Sequence, residues 1–330
     1  MQNINKLFIE IFNYTKDIPK DAKRKHLLLF VLTFFSTTLN QFLLGTSSDI
    51  FSDFLIAISY SVPLMIILLA HEMGHFLYAK RYNVDATLPY FIPLPFISPI
   101  GTLGAFIKMK SLPPDKNALL DIAFWGPAMS FSLAIPFSIA GIMMSEVIPI
   151  TPDLGGLYFG EPLIFKMILH SIKDVPAGHD VLLHPMAFAG WVGFLVTAIN
   201  LFPIGQLDGG HIAYAVLGKR QKSLAYLFMG IIILLSFDFF GWIFFAAMIY
   251  FMIGIQHPPY LENSNFKLNR KQKRMAVLSI LMLIFSFIAV PVTIKEDPSQ
   301  IVPPPSSPKT PDGEFSVQFI ENRNKTYKKI

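Results

Sequence analysis

Apolar runs of roughly 20 residues recur along most of this chain, and a run of that length crosses about 30 Å of hydrocarbon as a helix. We read spans at about 27–45, 53–80, 118–144, 186–203, 222–237, 240–256 and 275–294. The fourth run is broken at its end by Asn200, Leu201, Phe202 and Pro203. The fifth and sixth are short, meet at a tight turn around Asp238, and could together form one tilted hairpin. The expected fold class is therefore an all-α polytopic membrane protein with about six to seven transmembrane helices. Composition agrees: 53% hydrophobic against 15% charged residues is more apolar than one soluble core and its polar shell require.

The net charge of +5 could suggest nucleic acid, but the basic residues form short clusters beside the apolar runs instead of one continuous face. No nucleic-acid partner is expected. The clusters are Lys23, Arg24 and Lys25; Lys80 and Arg81; Lys108, Lys110 and Lys116; Lys219, Arg220 and Lys222; and Lys267 through Arg274. With a cytoplasmic N-terminus and seven crossings, all of them fall on the cytoplasmic side, as the positive-inside rule asks. The segment 146–185 then faces out, and its acidic bias fits. Residues 1–26 lack the pattern of a cleaved secretory signal and read as a cytoplasmic segment preceding a membrane domain at 27–294. Residues 295–330 are polar and proline-rich and are expected to form a flexible outer tail, with a glycosylation sequon at Asn324.

Residues 87–110 are apolar but carry four prolines between 89 and 99, which rules out an ordinary spanning helix. Gly101, Gly104 and the residues that follow read as extended chain. A re-entrant extended segment at about 88–110 is expected, tolerated at membrane depth only where protein or a water-filled cavity satisfies its backbone. The other reading is an amphipathic loop on the cytoplasmic surface.

The second run contains LLAHEMGHFLYA, residues 68–79. His71 and His75, four apart, lie on one helical face and can reach one ion, while Glu72 lies about 100 degrees round, where it can approach a water on that ion. HExxH is the zinc-hydrolase spacing. The other reading is that these groups only hydrogen-bond to neighbouring helices. The chain contains no cysteine, so thiolate metal sites are excluded and a third ligand must be His, Asp or Glu. Asp208, in the Gly-flanked break LDGG just after the fourth run, lies on the same predicted side as the histidines; LDGG also reads as a simple turn. Pro203, Gly205, Gly209 and Gly210 are expected to bring this break close to the second span, with Gly74 as the small residue at the contact.

HEMGH followed by NLFPIGQLDGGH resembles the paired signatures of the site-2 protease family, the intramembrane zinc metalloproteases of peptidase family M50. GTLGAF at 101–106 and FWGPAMS at 124–130 are also similar, and the resemblance covers about residues 50–220. It implies a zinc ion held by His71, His75 and Asp208, with Glu72 as general base and then general acid in peptide hydrolysis, and substrate or oxyanion contacts at Asn200. The expected partners are a transmembrane protein substrate and the lipid bilayer. The chain departs from some family members in lacking an inserted PDZ-like domain and a CBS pair, and its outer segment looks like that of archaeal and chloroplast members.

His170, His179 and His184 show no tight ligand spacing and read as solvated or structural, and His211 as a group beside the site. Two other readings remain: a membrane metal-ion transporter, which should show repeated halves or polar residues spread through its spans, and an inactive zinc-binding scaffold.

Overall fold

The computed structural model describes residues 19–45, 49–150, 156–258 and 268–295. The predicted tail from 296 onward, with Asn324, lies outside the described residues, as does most of the N-terminal segment. In chain order the elements are α1 (Lys20–Phe42), α2 (Ile50–Arg81), β1 (Tyr90–Pro93), β2 (Thr102–Phe106), α3 (Lys116–Met144), β3 (Glu146–Pro149) and β4 (Gly156–Phe159). There follow α4 (Leu163–Ile172), β5 (His179–Leu182), α5 (Pro185–Asn200), α6 (Asp208–Leu217), α7 (Gln221–Leu235), α8 (Gly241–Met248), α9 (Arg270–Ser286) and β6 (Val292–Lys295). Each of the seven apolar runs is a helix. Among the described residues, α2 and α3 are the two long and apolar enough, by length and composition, to cross a membrane.

The fold is mostly helical but not all-α, because three two-stranded antiparallel sheets accompany the helices. β1 pairs with β2, β3 with β5, and β4 with β6. The segment 146–185, read from sequence as a loop, is thus built from three strands and the apolar helix α4. The seventh helix ends at Ser286, short of the expected boundary near 294, because Phe287 turns extended and the chain runs on through Pro291 into β6. Proline has no N–H to continue a helical ladder.

Helices α2, α3 and α5 form the centre, with Tyr60, Leu64, Ile67, Ala134, Ile142, Trp191 and Phe194 in one buried cluster. Small residues let backbones approach. A Cβ on Gly141 would meet the backbone of Ala187, and one on Gly74 would strike the Trp125 carbonyl of α3. Gly74 therefore serves the contact between α2 and α3, not the expected contact with the Asp208 segment. At one end of the bundle the fully buried Asp121 of α3 accepts 2.7 Å hydrogen bonds from the Tyr82 hydroxyl and from Lys271 Nζ, tying the end of α2 and the start of α9 to α3. Apolar side chains also cover the outside: Phe35, Leu55, Leu227, Leu234, Ile280 and Ile284 are all exposed.

The β1–β2 hairpin lies along α1. His26 Nδ1 donates to the Pro89 carbonyl near one end, and Asn40 Nδ2 donates to the Ser98 carbonyl near the other. Fourteen helical residues separate those two anchors, about 21 Å at the usual rise. Between them, Ser36 donates to the Gly101 carbonyl, and Tyr60 from α2 donates to the Ile100 carbonyl. These side chains supply the partners that irregular backbone needs where water is scarce.

The Gly141 contact gives a direct check on this packing. Gly141→Ala should lower stability by ~1–3 kcal/mol, because neither backbone can yield to the added methyl. The measurement is the thermal unfolding midpoint in detergent, and an unchanged midpoint would show that α3 and α5 do not meet there.

Candidate metal centre

The turn of α2 that carries His71 and His75 is buried at 4% and 7% exposure, and both imidazoles leave the same helical face. Asp208 arrives from a different part of the chain. α5 stops at Asn200, and the following residues fold back tightly before α6 begins at Asp208. Gly205 sits at φ +53°, and a Cβ on Gly209 or Gly210 would strike the carbonyls of Leu201 or Gly205. The break is therefore compact, and it places the carboxylate in the first turn of a helix, where the backbone dipole favours negative charge.

The three side chains converge. His71 Nε2 and His75 Nε2 each lie 3.3 Å from Asp208 Oδ2, and 3.2 Å from one another. Among the described residues this is the one His/Asp/Glu trio arranged to hold an ion. Proton accounting shows what the trio offers. His75 Nδ1 lies 2.8 Å from the Ile122 carbonyl, which can only accept, so Nδ1 carries the proton and Nε2 the lone pair. His71 Nδ1 lies 3.1 Å from Ser130 Oγ, which is 2.9 Å from Thr197 Oγ1, which in turn donates to the Gly193 carbonyl. Thr197 donates to Gly193, and the single Ser130 proton is claimed by the Pro127 carbonyl at 3.1 Å or by Thr197, which leaves His71 Nδ1 as the donor to Ser130. Both Nε2 atoms thus present lone pairs to a carboxylate oxygen. With both imidazoles neutral, as metal ligands must be, three acceptors converge on one point, an arrangement suited to a cation.

The spacing suits zinc. Tetrahedral bonds of about 2.0 Å place neighbouring ligand atoms about 3.3 Å apart, which matches the observed edges. Gly126 makes the arrangement possible, since a Cβ there would occupy the His75 ring. Nothing in the trio is loose: one histidine is fixed by a backbone carbonyl of α3, the other by a hydroxyl chain from α3 to α5.

Glu72 is 5% exposed and lines the same cavity of about 200 Å³, with the Ile107 amide, just past β2, directed toward its carboxylate. The cavity is walled by His71, His75 and Asp208, by Ala105 through Ile107 of the hairpin, and by Asn200, Gln206 and His211. The structure thus brings together every residue that the sequence nominated, Asn200 included. The remaining histidines lie elsewhere. His170 Nδ1 bonds its own helix at the Lys166 carbonyl, and His184 caps α5 by accepting from the Met186 amide. Ser130 and Thr197 were not nominated. A small hydroxyl residue at matching depth in two different apolar runs was the available signal.

Comparison with known proteins follows the same residues. The model of "Peptidase family M50" matches residues 59–237, more than half of the chain. "Probable zinc metalloprotease EGY1, chloroplastic" of Arabidopsis thaliana is 34% identical over 175 residues, which cover 52% of this chain and 31% of that protein. "Probable zinc metalloprotease EGY2, chloroplastic" of Oryza sativa subsp. indica is 28% identical over 247 residues, covering 70% of this chain and 42% of that one. The chain spans less than half the length of these curated relatives. The solved site-2 protease from Methanocaldococcus jannaschii aligns over 78% of this chain and 86% of its own at 14% identity, with a TM-score of 0.31, too low to bear on the fold. With the family model covering both the HExxH turn and the Asp208 segment, the chain belongs to peptidase family M50.

Proposed function

We propose that this chain is an intramembrane zinc metalloprotease that hydrolyses peptide bonds in or near the transmembrane segments of membrane-protein substrates. The observation that carries the reading is the donor-free trio of His71, His75 and Asp208 with the Glu72 carboxylate beside it, all buried among apolar helices. Two relatives bear the name zinc metalloprotease, and the ligand types and spacings suit that metal. The seven apolar helices are read as the membrane domain, residues 27–294, with the basic clusters and the metal centre toward the cytoplasm and 295–330 as an outer tail. Their outward-facing apolar side chains support placement in a bilayer.

In this reading His71, His75 and Asp208 hold the ion. Zinc, when bound, supplies Lewis acidity that polarises a scissile carbonyl and acidifies water. Glu72, oriented by the Ile107 amide, takes the proton of the attacking water on its carboxylate and returns it to the departing amide nitrogen. Asn200, which lines the same cavity, donates in this reading to the carbonyl oxygen as charge develops there.

The hairpin would present the substrate. β2 has a strand partner on one edge only among the described residues, and its far end leads straight to Ile107 and Glu72. A helical substrate must unwind before it can be cut, and an added strand gives its freed backbone groups partners. Because the Ile107 amide faces Glu72, strand alternation makes Ala105 the residue whose amide points to the same side.

Three measurements test this. Purified chain should carry about one zinc and cut a fluorescent single-span substrate; Glu72→Gln should keep the metal and lose cleavage by at least about a hundredfold, and Asp208→Asn should lose metal. Retained cleavage in Glu72→Gln would falsify the protease reading. Ser130→Ala should weaken zinc retention against a chelator by roughly tenfold, as loss of a partner behind a ligand does; unchanged retention would remove the hydroxyl chain from the account. Ala105→Pro, which deletes an outward amide, should cut cleavage about tenfold with zinc content intact, and normal cleavage would exclude strand addition on that edge.

A further inference from the structure

The cavity has a third histidine that the hydrolytic roles leave unused. His211 follows Asp208 by one helical turn and lines the cavity that Ala105 through Ile107 of the hairpin also line. Its Nδ1 lies 2.8 Å from Nε2 of His257, 46 residues away in the connection after α8. His257 is 6% exposed, its Nδ1 lies 2.8 Å from the Pro258 carbonyl, and Tyr214 stacks on its ring at 4.0 Å. The backbone amide of His257 donates to Gln221 Oε1, and Gln221 Nε2 donates to the Pro203 carbonyl. Gly205 N also donates to the Ile255 carbonyl. The connection carrying His257 is therefore stitched to the same chain break that places Asp208.

Proton accounting again fixes the roles. A carbonyl only accepts, so His257 Nδ1 is protonated and its Nε2 is the acceptor. His211 Nδ1 must then donate, which leaves His211 Nε2 with an exposed lone pair. No hydrogen bond to that atom exists among the described residues, and it is not among the buried polar atoms lacking a partner, so the cavity is what it faces. Burial holds the His257 imidazole below its ordinary pKa. The chain of bonds ends at a backbone carbonyl that cannot take up a proton, so it orients the ring and does not conduct charge.

An unwound peptide brings bare N–H groups into this cavity, on the side away from β2 as well as toward it. Each needs an acceptor where water is scarce. Resting on the protease reading above, we propose that His211 Nε2 is the acceptor for a substrate backbone N–H on the wall opposite the hairpin, and that His257 is the positioning residue that sets its tautomer. The site thereby recognises backbone, whatever the side chains, and requires its substrate to be unwound.

The test uses the full chain in detergent and, as probe, a fluorescent single-span peptide with an Asn-Pro pair in its apolar run. Affinity is read in the Glu72→Gln background, so a parent chain that fails to cleave would overturn the protease reading and leave this measurement standing. His257→Phe keeps a ring against Tyr214 but removes the acceptor; His257→Gln restores a carbonyl oxygen. His257→Phe and His211→Phe should each weaken peptide affinity about tenfold, with zinc content and unfolding midpoint unchanged. His257→Gln should stay within about threefold of the parent, and the double Phe variant should lose no more than either single one. Equal affinities for His257→Phe and His257→Gln, whether both weak or both normal, or losses that add in the double variant, overturn the proposal.

Discussion

Three lone pairs aimed at one point repel, and the rest of the centre is built to hold them there. His71, His75 and Asp208 come from two segments far apart in sequence, and each histidine is held from behind. The Ile122 carbonyl and the Ser130–Thr197 hydroxyls dictate which imidazole nitrogen carries a proton. Gly126 clears the space for a ring, and the glycine-rich break after α5 turns the carboxylate inward. A side chain that kept its position but changed its hydrogen-bonding sense would spoil the trio as surely as losing a ligand. That is why α3, which contributes no ligand, is the helix that the centre leans on most.

A second constraint is backbone satisfaction. The hairpin between α2 and α3 has carbonyls that no strand or helix can claim, and α1 answers them with His26, Ser36 and Asn40. The first apolar run is also rich in serine and threonine, and Thr33, Ser36, Thr37 and Thr38 are buried while Leu28 and Phe35 look outward; of these hydroxyls Ser36 reaches the hairpin, and Thr38 reaches Ser61 of α2. The helix is turned inside out relative to a soluble one, with its polar stripe facing protein. The same hairpin borders the metal centre, with the Ile107 amide just past β2 directed toward the Glu72 carboxylate.

Much of this was legible in the residues. Apolar runs of fixed length gave the helices, because a bilayer leaves few alternatives, and HEMGH with LDGG nominated the trio through four-residue spacing, a carboxylate on the same predicted side and the resemblance to site-2 proteases, since LDGG alone reads equally as a turn. What escaped depends on contacts between distant segments. Gly74 could be recognised as a contact residue but not assigned to α3, and Asp121 shows no local sign of Tyr82 and Lys271 as partners. The strands of 146–182 are four residues each, too short for alternation to register. The break at Ser286 was hidden because the residues after it are as apolar as those before. Ser130, Thr197 and His257 matter through whom they touch, and a linear reading contains no such information.

The pairing of β4 with β6 has a consequence for assembly. Residues 156–159 find their partner at 292–295, after six intervening α-helices. During synthesis from the N-terminus, β4 emerges early and waits with an open edge until α9 is in place and the chain beyond it has emerged. Closing so long a loop is slow, and an unpaired edge is a template for association with other chains. The β4–β6 sheet is thus the last of the described pieces to be completed, and its closure registers that every helix before it has arrived.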